Sequence, residues 1–226
     1  MNKLLAKPDL DSKMMKSQSV TQGRKFGQVI KGAGAIFLRD GFAGASVDDI
    51  AQAARVSKAT IYSYFPDKTL MFREAMRAEI ARLEGTFTLD IDPGLPPQKA
   101  IAHIAVQAAE WMADPHRVSL CRVLLAEASR FADLALLFHD SLSRMLRDPV
   151  RAHLDRWVRA GLLAIDDTDL AARQLVGLSG AQCSLHLLGT PQAASVAAIR
   201  ANARDAAALF LRAFPPVPRQ DALMQT

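Results

Sequence analysis

The chain is short of cysteine, glycine, proline and aromatic residues, and each shortage excludes something. Its 226 residues hold two cysteines, Cys121 and Cys183, far apart and without ligand spacing. That excludes a disulfide scaffold, fits a reducing cytoplasm and leaves both thiols as small apolar residues. Twelve glycines and 11 prolines are too few for a low-complexity chain. Alanine and leucine are abundant, so the composition reads as mostly helical. No uncharged apolar run reaches the roughly 18 residues of a membrane span, so no membrane partner is expected. The opening "MNKLLAK" imitates the start of a signal peptide, but Pro8, Asp9 and Asp11 interrupt it at once. The five histidines lack metal-ligand spacing, and no phosphate loop, nucleophile elbow or His-Glu metal motif is present. The reading is therefore no enzyme, no metal and no cofactor.

Lysine nearly vanishes after residue 68. Eight lysines precede that point and only Lys99 follows. Residues 1–68 hold 11 Lys and Arg against 6 Asp and Glu, whereas residues 69–226 hold 17 of each. The whole net charge of +5 thus lies in the first third. A basic module joined to a neutral one gives the first part an electrostatic task.

Residues 1–20 read as a basic flexible arm with little periodicity. Phe26, Ile30, Ala33 and Phe37 then mark one face of a helix that Asp40-Gly41 closes, with Gly41 taking a left-handed terminal conformation. Ser46 is an N-cap with Asp49 in capping-box position, and Val47, Ile50, Ala51 and Ala54 form the inner side of a short helix. Ser57 caps the next helix, "KATIYSYF", which Pro66 forbids from continuing. Asp67 opens a longer helix to about Glu84. Two short helices joined by about three residues make a helix-turn-helix.

In "KATIYSYF", Ile61 and Phe65 face inward. Lys58, Ala59 and Tyr62 share an outer face flanked by Thr60, Ser63 and Tyr64. A cation, hydroxyls and a flat ring around one small residue suit a helix laid in a major groove. Lys68 in the first turn of the following helix, and Ser46 at the start of the earlier one, are placed to meet phosphate at helix N-termini.

The stretch from Gly23 to Met76 resembles the TetR family of transcriptional regulators. The resemblance is carried by Gly41-Phe42, Asp49-Ile50-Ala51, Val56-Ser57-Lys58, Thr60, Tyr62, Tyr64-Phe65, Lys68 and Leu70. Arg55 departs from it, standing in the turn where the family usually has glycine, and must tolerate positive φ. The resemblance implies an all-α homodimer, with an N-terminal helix-turn-helix domain and a C-terminal helical bundle for dimerisation and ligand binding. It implies a repressor that binds a palindromic operator in double-stranded DNA and is released by a small hydrophobic ligand. Its contacts carried over are Lys58, Ala59 and Tyr62 near bases, and Ser46, Thr60, Ser63, Tyr64 and Lys68 near phosphate. A nonspecific architectural DNA-binding protein is the alternative, but it has no need of a large neutral domain.

The domains expected are an arm at 1–20, the DNA-binding unit at 21–66, a helical domain at 67–214 and a flexible tail at 215–226. "GTFTLDIDPGLPP" is a surface loop. Helices are expected over roughly Gln98–Ala113, His116–Arg130, Ala132–Arg147, Pro149–Ala160, Thr168–Leu188 and Gln192–Phe214. The stretch "CRVLLAEASRFADLALLFHDS" resembles the C-terminal domain of AefR-like regulators. Trp111, Met112, Phe131, Phe138 and His139 are candidate pocket residues, being bulky or polarisable groups at helix ends. The last two helices are rich in small residues with Leu and Phe to bury. Leu175, Leu178, Gln182, Leu185, Leu209 and Phe210 are the interface candidates.

Overall fold

The structure, a computed structural model, describes residues 23–183 and 195–217. The expected arm, the interface candidate Leu185 and the tail beyond residue 217 lie outside the described residues. The described residues form nine α-helices and no strand, so the chain is all-α. The contacts divide it into two units, one up to Ala78 and one from Glu79.

In the first unit, α1 (Arg24–Gly44) buries Val29, Ile30, Ala33, Ile36 and Phe37 along one face. Gly41 takes φ 73 and ψ 178, a positive-φ conformation but not the left-handed helical one expected. The chain kinks there and resumes a helical turn, which lets Phe42 reach the core. Phe42 and Phe37 both meet Phe72 edge-on, at 5.2 and 5.0 Å between ring centres. The chain then enters α2 (Val47–Ala54). The Asp49 N–H donates to Ser46 Oγ at 3.0 Å, and the Ser46 hydroxyl donates to the Asp49 carboxylate at 2.8 Å. Arg55 follows in the left-handed region, φ 54 and ψ 46, the conformation a glycine would take at less steric cost. The Val56 N–H closes the turn on the Ala51 carbonyl at 3.0 Å.

Helix α3 (Lys58–Tyr64) opens with the Thr60 N–H donating to Ser57 Oγ at 3.1 Å. It buries Ile61 fully, with Phe65 just beyond its end. The Leu70 N–H donates to Asp67 Oδ1 at the start of α4 (Lys68–Leu83), at 2.8 Å. Within the first unit α4 buries Met71, Phe72, Ala75 and Met76.

The second unit contains α5 (Pro97–Met112), α6 (Pro115–Ala126), α7 (Ala132–Arg159), α8 (Thr168–Ser179) and α9 (Val196–Ala213). Ile101, Ile104, Leu154, Trp157, Leu175 and Phe210 are among its core residues. Asp114 caps α6, accepting from the N–H groups of His116 and Arg117 at 3.1 and 3.2 Å. The sequence reading is corrected at three boundaries. First, α6 ends at Ala126 rather than Arg130. Second, the two helices expected on either side of Asp148-Pro149 are one, α7, with Pro149 inside it. A proline there forfeits a backbone hydrogen bond at a cost of about 3 kcal/mol. Burial of Leu146, Val150, Leu154 and Trp157 along one continuous face offsets that. Third, α8 stops at Ser179 instead of running on through residues 180–182, and the rest of the expected helix, 184–188, lies outside the described residues. The Asn202 amide of α9 donates to the Leu178 and Ser179 carbonyls at 3.2 and 3.3 Å, capping the helix from outside.

Candidate nucleic-acid interface and ligand cavity

Helix α3 splits its side chains cleanly. Ile61 and Phe65 are buried, whereas Lys58, Ala59, Tyr62 and Ser63 are exposed, Tyr62 by 53%. Thr60 is half-buried, its hydroxyl paired with Ser57 Oγ at 2.9 Å, and Ser63 donates back to the Thr60 carbonyl at 2.7 Å. Tyr64 is also half-buried and meets Phe26 of α1 edge-on at 5.7 Å. The outer surface of α3 is thus one cation, one small residue, one free aromatic ring and a hydroxyl.

Two further phosphate candidates, like Thr60 and Ser63, already have protein partners. Ser46 is tied to Asp49 by its cap. The Lys68 ammonium donates to the Ala45 and Ala43 carbonyls at 2.7 and 3.3 Å and lies 4.9 Å from the centre of the Phe42 ring. Lys68 therefore holds the junction between α1 and α2, and one of its three protons remains for another acceptor. Asp48, which the sequence reading passed over, pairs with Lys58 at 2.5 Å and holds its ammonium above the usual lysine range. No sequence rule joins the first turn of one helix to the first residue of the next. The contact exists because the turn at Arg55 folds α3 back across α2.

That pair gives a direct test. Asp48→Asn frees Lys58 and removes a negative charge beside the exposed face of α3. Binding to any duplex is expected to tighten severalfold, with a steeper dependence on salt as one more cation reaches phosphate. Fluorescence anisotropy on a random-sequence duplex across a salt series reads both. Weaker binding would show instead that Asp48 holds Lys58 in its working position.

The second unit contains a cavity of about 230 Å³ between α5, α6, α7 and the residues after α8. Trp111 and Met112 reach it from α5, Phe138 and Leu142 from α7. Arg117, Val118 and Cys121 line it from α6, and Gly180 and Cys183 from beyond α8. Three of the sequence candidates meet there. Phe131 is buried but does not line it, and His139, next to Phe138, is exposed. The cavity residues missed were Arg117, Val118, Leu142, Gly180 and the two cysteines. The cysteines lie 62 positions apart, and only the fold unites them. Burial pushes both thiols above the ordinary cysteine range.

Arg117 lies over the Trp111 ring, its Cζ 4.2 Å from the ring centre, and burial lowers its pKa from the usual arginine value. Its Nη1 donates to the Trp111 carbonyl at 3.1 Å and faces Asp114 at 3.3 Å. Its Nε–H and the Trp111 indole N–H are buried without a partner among the described residues. A buried donor left so costs about 1–3 kcal/mol. A larger depression of about 790 Å³, between the loop at 93–98 and the end of α7, contains neither group.

Of the interface candidates, Leu175 and Phe210 are buried in this chain's own core, Gln182 is half-buried, and Leu178 and Leu209 are exposed. No helix among the described residues is long and apolar enough to cross a membrane. No cluster of three or more potential metal-binding His, Cys, Asp or Glu occurs among them.

A capped helix-turn-helix with a polar outer face, followed by a separate helical unit, defines a helical DNA-binding regulator. Residues 29–75 match the family described as bacterial regulatory proteins, tetR family, and residues 99–216 match the AefR-like transcriptional repressor, C-terminal domain. The chain belongs to the TetR family of transcriptional regulators. It is similar to the flavonoid-responsive regulator FrrA, at 33% identity, covering 85% of this chain and 97% of FrrA, with a TM-score of 0.63. A putative TetR-family regulator from Mesorhizobium loti shares the fold at 23% identity and a TM-score of 0.69, over 84% of this chain and 96% of that one. A TetR family regulator from Pseudomonas syringae pv. tomato shares it at 22% identity and 0.64, over 87% and 100%. No curated protein matches the chain.

Proposed function

We propose that the chain is a homodimeric repressor that binds a palindromic operator through α3 and leaves it when a small aromatic molecule fills the cavity of the second unit. The observation that carries the reading is the division of α3, with Ile61 and Phe65 turned inward and Lys58, Ala59, Tyr62 and Ser63 left outward. The basic first third supplies the attraction to DNA. Lys58 and Tyr62 reach base edges, and Ala59 allows the close approach. Thr60, Ser63 and Tyr64 flank them toward phosphate, and Ser46 and Lys68 serve the backbone on the α2 side.

Two such helices in a dimer enter successive major grooves about 34 Å apart on one face of the duplex. The exposed Leu178 and Leu209, on the last two described helices, are among the apolar groups available to bury against a second copy, with Leu170 and Val196 exposed on the same helices. The likeness to FrrA, named as flavonoid-responsive, supports an aromatic effector. Ligand and operator then weaken each other's binding by the same factor.

The test begins with oligonucleotide selection to find the operator. Tyr62→Ala should then cost about 1–3 kcal/mol on the selected site and relax its sequence preference. Lys68→Ala should weaken all duplexes alike and reduce the log-log salt slope by about 1. A wild-type footprint from both variants would overturn these contacts. A monomer in solution at working concentration would overturn the paired mode.

A further inference from the structure

Two residues that line the cavity of the second unit carry buried donors that the protein does not satisfy among the described residues. Met112, Val118, Phe138 and Leu142 give it an apolar lining, and Cys121 and Cys183 add polarisable sulfur. Trp111 and Arg117 belong to the same lining, stacked on each other. Each has one buried N–H without an acceptor among the described residues. Native proteins leave few such groups, and two on one stacked pair at one cavity is a feature to explain. Both are donors only, so what they lack is an acceptor. A protonated amine, which has no lone pair to offer, would meet two N–H groups head on.

Size narrows the occupant further. An apolar cavity of about 150 Å³ admits a single benzene. The present cavity, at about 230 Å³, has room for a second fused ring or its equivalent in substituents.

The geometry points to a bicyclic-sized aromatic ligand carrying a proton-free oxygen (carbonyl, carboxylate or phenolate) that accepts from the Trp111 indole N–H and the Arg117 Nε–H. Its carbon skeleton lies among Met112, Phe138 and Leu142. The oxygen selects the ligand, because a site with buried donors penalises an analogue that leaves them unpaired. This rests on the reading of the cavity as the effector site and adds the chemistry that the effector must carry.

The test uses the full chain and two probes of equal ring size, 2-naphthoate and naphthalene. The chain has two tryptophans, so a ¹⁵N-tryptophan sample gives two indole N–H signals, and Trp111→Phe assigns the one that matters. Naphthoate should bind at least about tenfold more tightly than naphthalene and move the Trp111 indole signal downfield. Arg117→Met should narrow that gap below about threefold. Equal affinity for the two probes, no binding of naphthoate, or a Trp111 signal that stays in place while naphthoate binds would each overturn the assignment. A gel shift on the selected operator separates this from the functional reading. Naphthoate that binds as described without releasing DNA supports the assignment and overturns release.

Discussion

Gly32→Ala is expected to reduce operator binding by about two orders of magnitude while the second unit keeps its stability. A Cβ at this position of α1 would stand 2.7 Å from the Ala54 nitrogen and 2.8 Å from its Cβ. The obstacle includes the backbone of α2, so no flexible side chain can swing aside. Overpacking of this kind costs roughly 3 kcal/mol or somewhat more. The free protein relieves it by letting α2 move off α1. DNA binding demands the native angle between α2 and α3 and so restores the strain, and 3 kcal/mol is about a hundredfold in affinity. Gly27→Ala is the control. It lies on the same helix with nothing within 4 Å of the added carbon. There alanine should stabilise α1 by up to about 1 kcal/mol and leave binding unchanged. Operator affinity at the wild-type level in Gly32→Ala would show that the approach of α1 to α2 is not what sets the reading helix.

The contrast between those glycines marks what the sequence could and could not disclose. Local signals were readable at several places where the responsible groups are neighbours in the chain, though Gly41 kinks α1 instead of ending it in the left-handed helical region. Ser46 and Ser57 announced their helices because a cap acts over three residues. Pro66 ended α3, and Arg55 took the positive φ that a turn of that length requires. The inward set of α3 followed from helical periodicity alone. Pro149 misled because its local cost was weighed without the long buried face that outweighs it. The end of α8 was invisible for the converse reason, since its cap is the Asn202 side chain of α9, more than 20 residues away.

The sites divide along the same line. Tyr62 and Lys58 were found from one short stretch, yet Asp48, the partner of Lys58, was not, because that pair depends on how two helices cross. Trp111, Met112 and Phe138 were found as bulky groups at helix ends. Cys121 and Cys183 were read as filler, because nothing in their spacing shows that they line one cavity. Two unsatisfied N–H groups are a property of packing and have no signature in sequence at all.

Removing both partners of Glu79 should destabilise the second unit by about 3 kcal/mol or more, and removing Glu79 as well should restore most of that loss. Glu79 is only 1% exposed, yet it is a carboxylate in α4. Arg82, one turn on, pairs with Oε1, and His116 at the start of α6 faces Oε2 at 3.1 Å. The asymmetry in burial fixes the sign of each change. Arg82 and His116 are 52% and 51% exposed, so each regains water when its partner goes. Glu79 has no such recourse, and Arg82→Ala with His116→Ala strands a buried charge. Adding Glu79→Met replaces that charge with an unbranched apolar side chain that suits a helix. Urea unfolding followed by circular dichroism measures all three proteins. If the triple variant is no more stable than the double, the desolvated carboxylate is not the source of the loss. The triple variant also tests signalling, because His116 is the neighbour of Arg117 in the cavity and α4 begins at Lys68. With the tie gone and the fold restored, ligand and operator should each bind as in the wild type, and their mutual weakening should shrink severalfold. Unchanged coupling in a stable triple variant would make the tie a support of the fold alone.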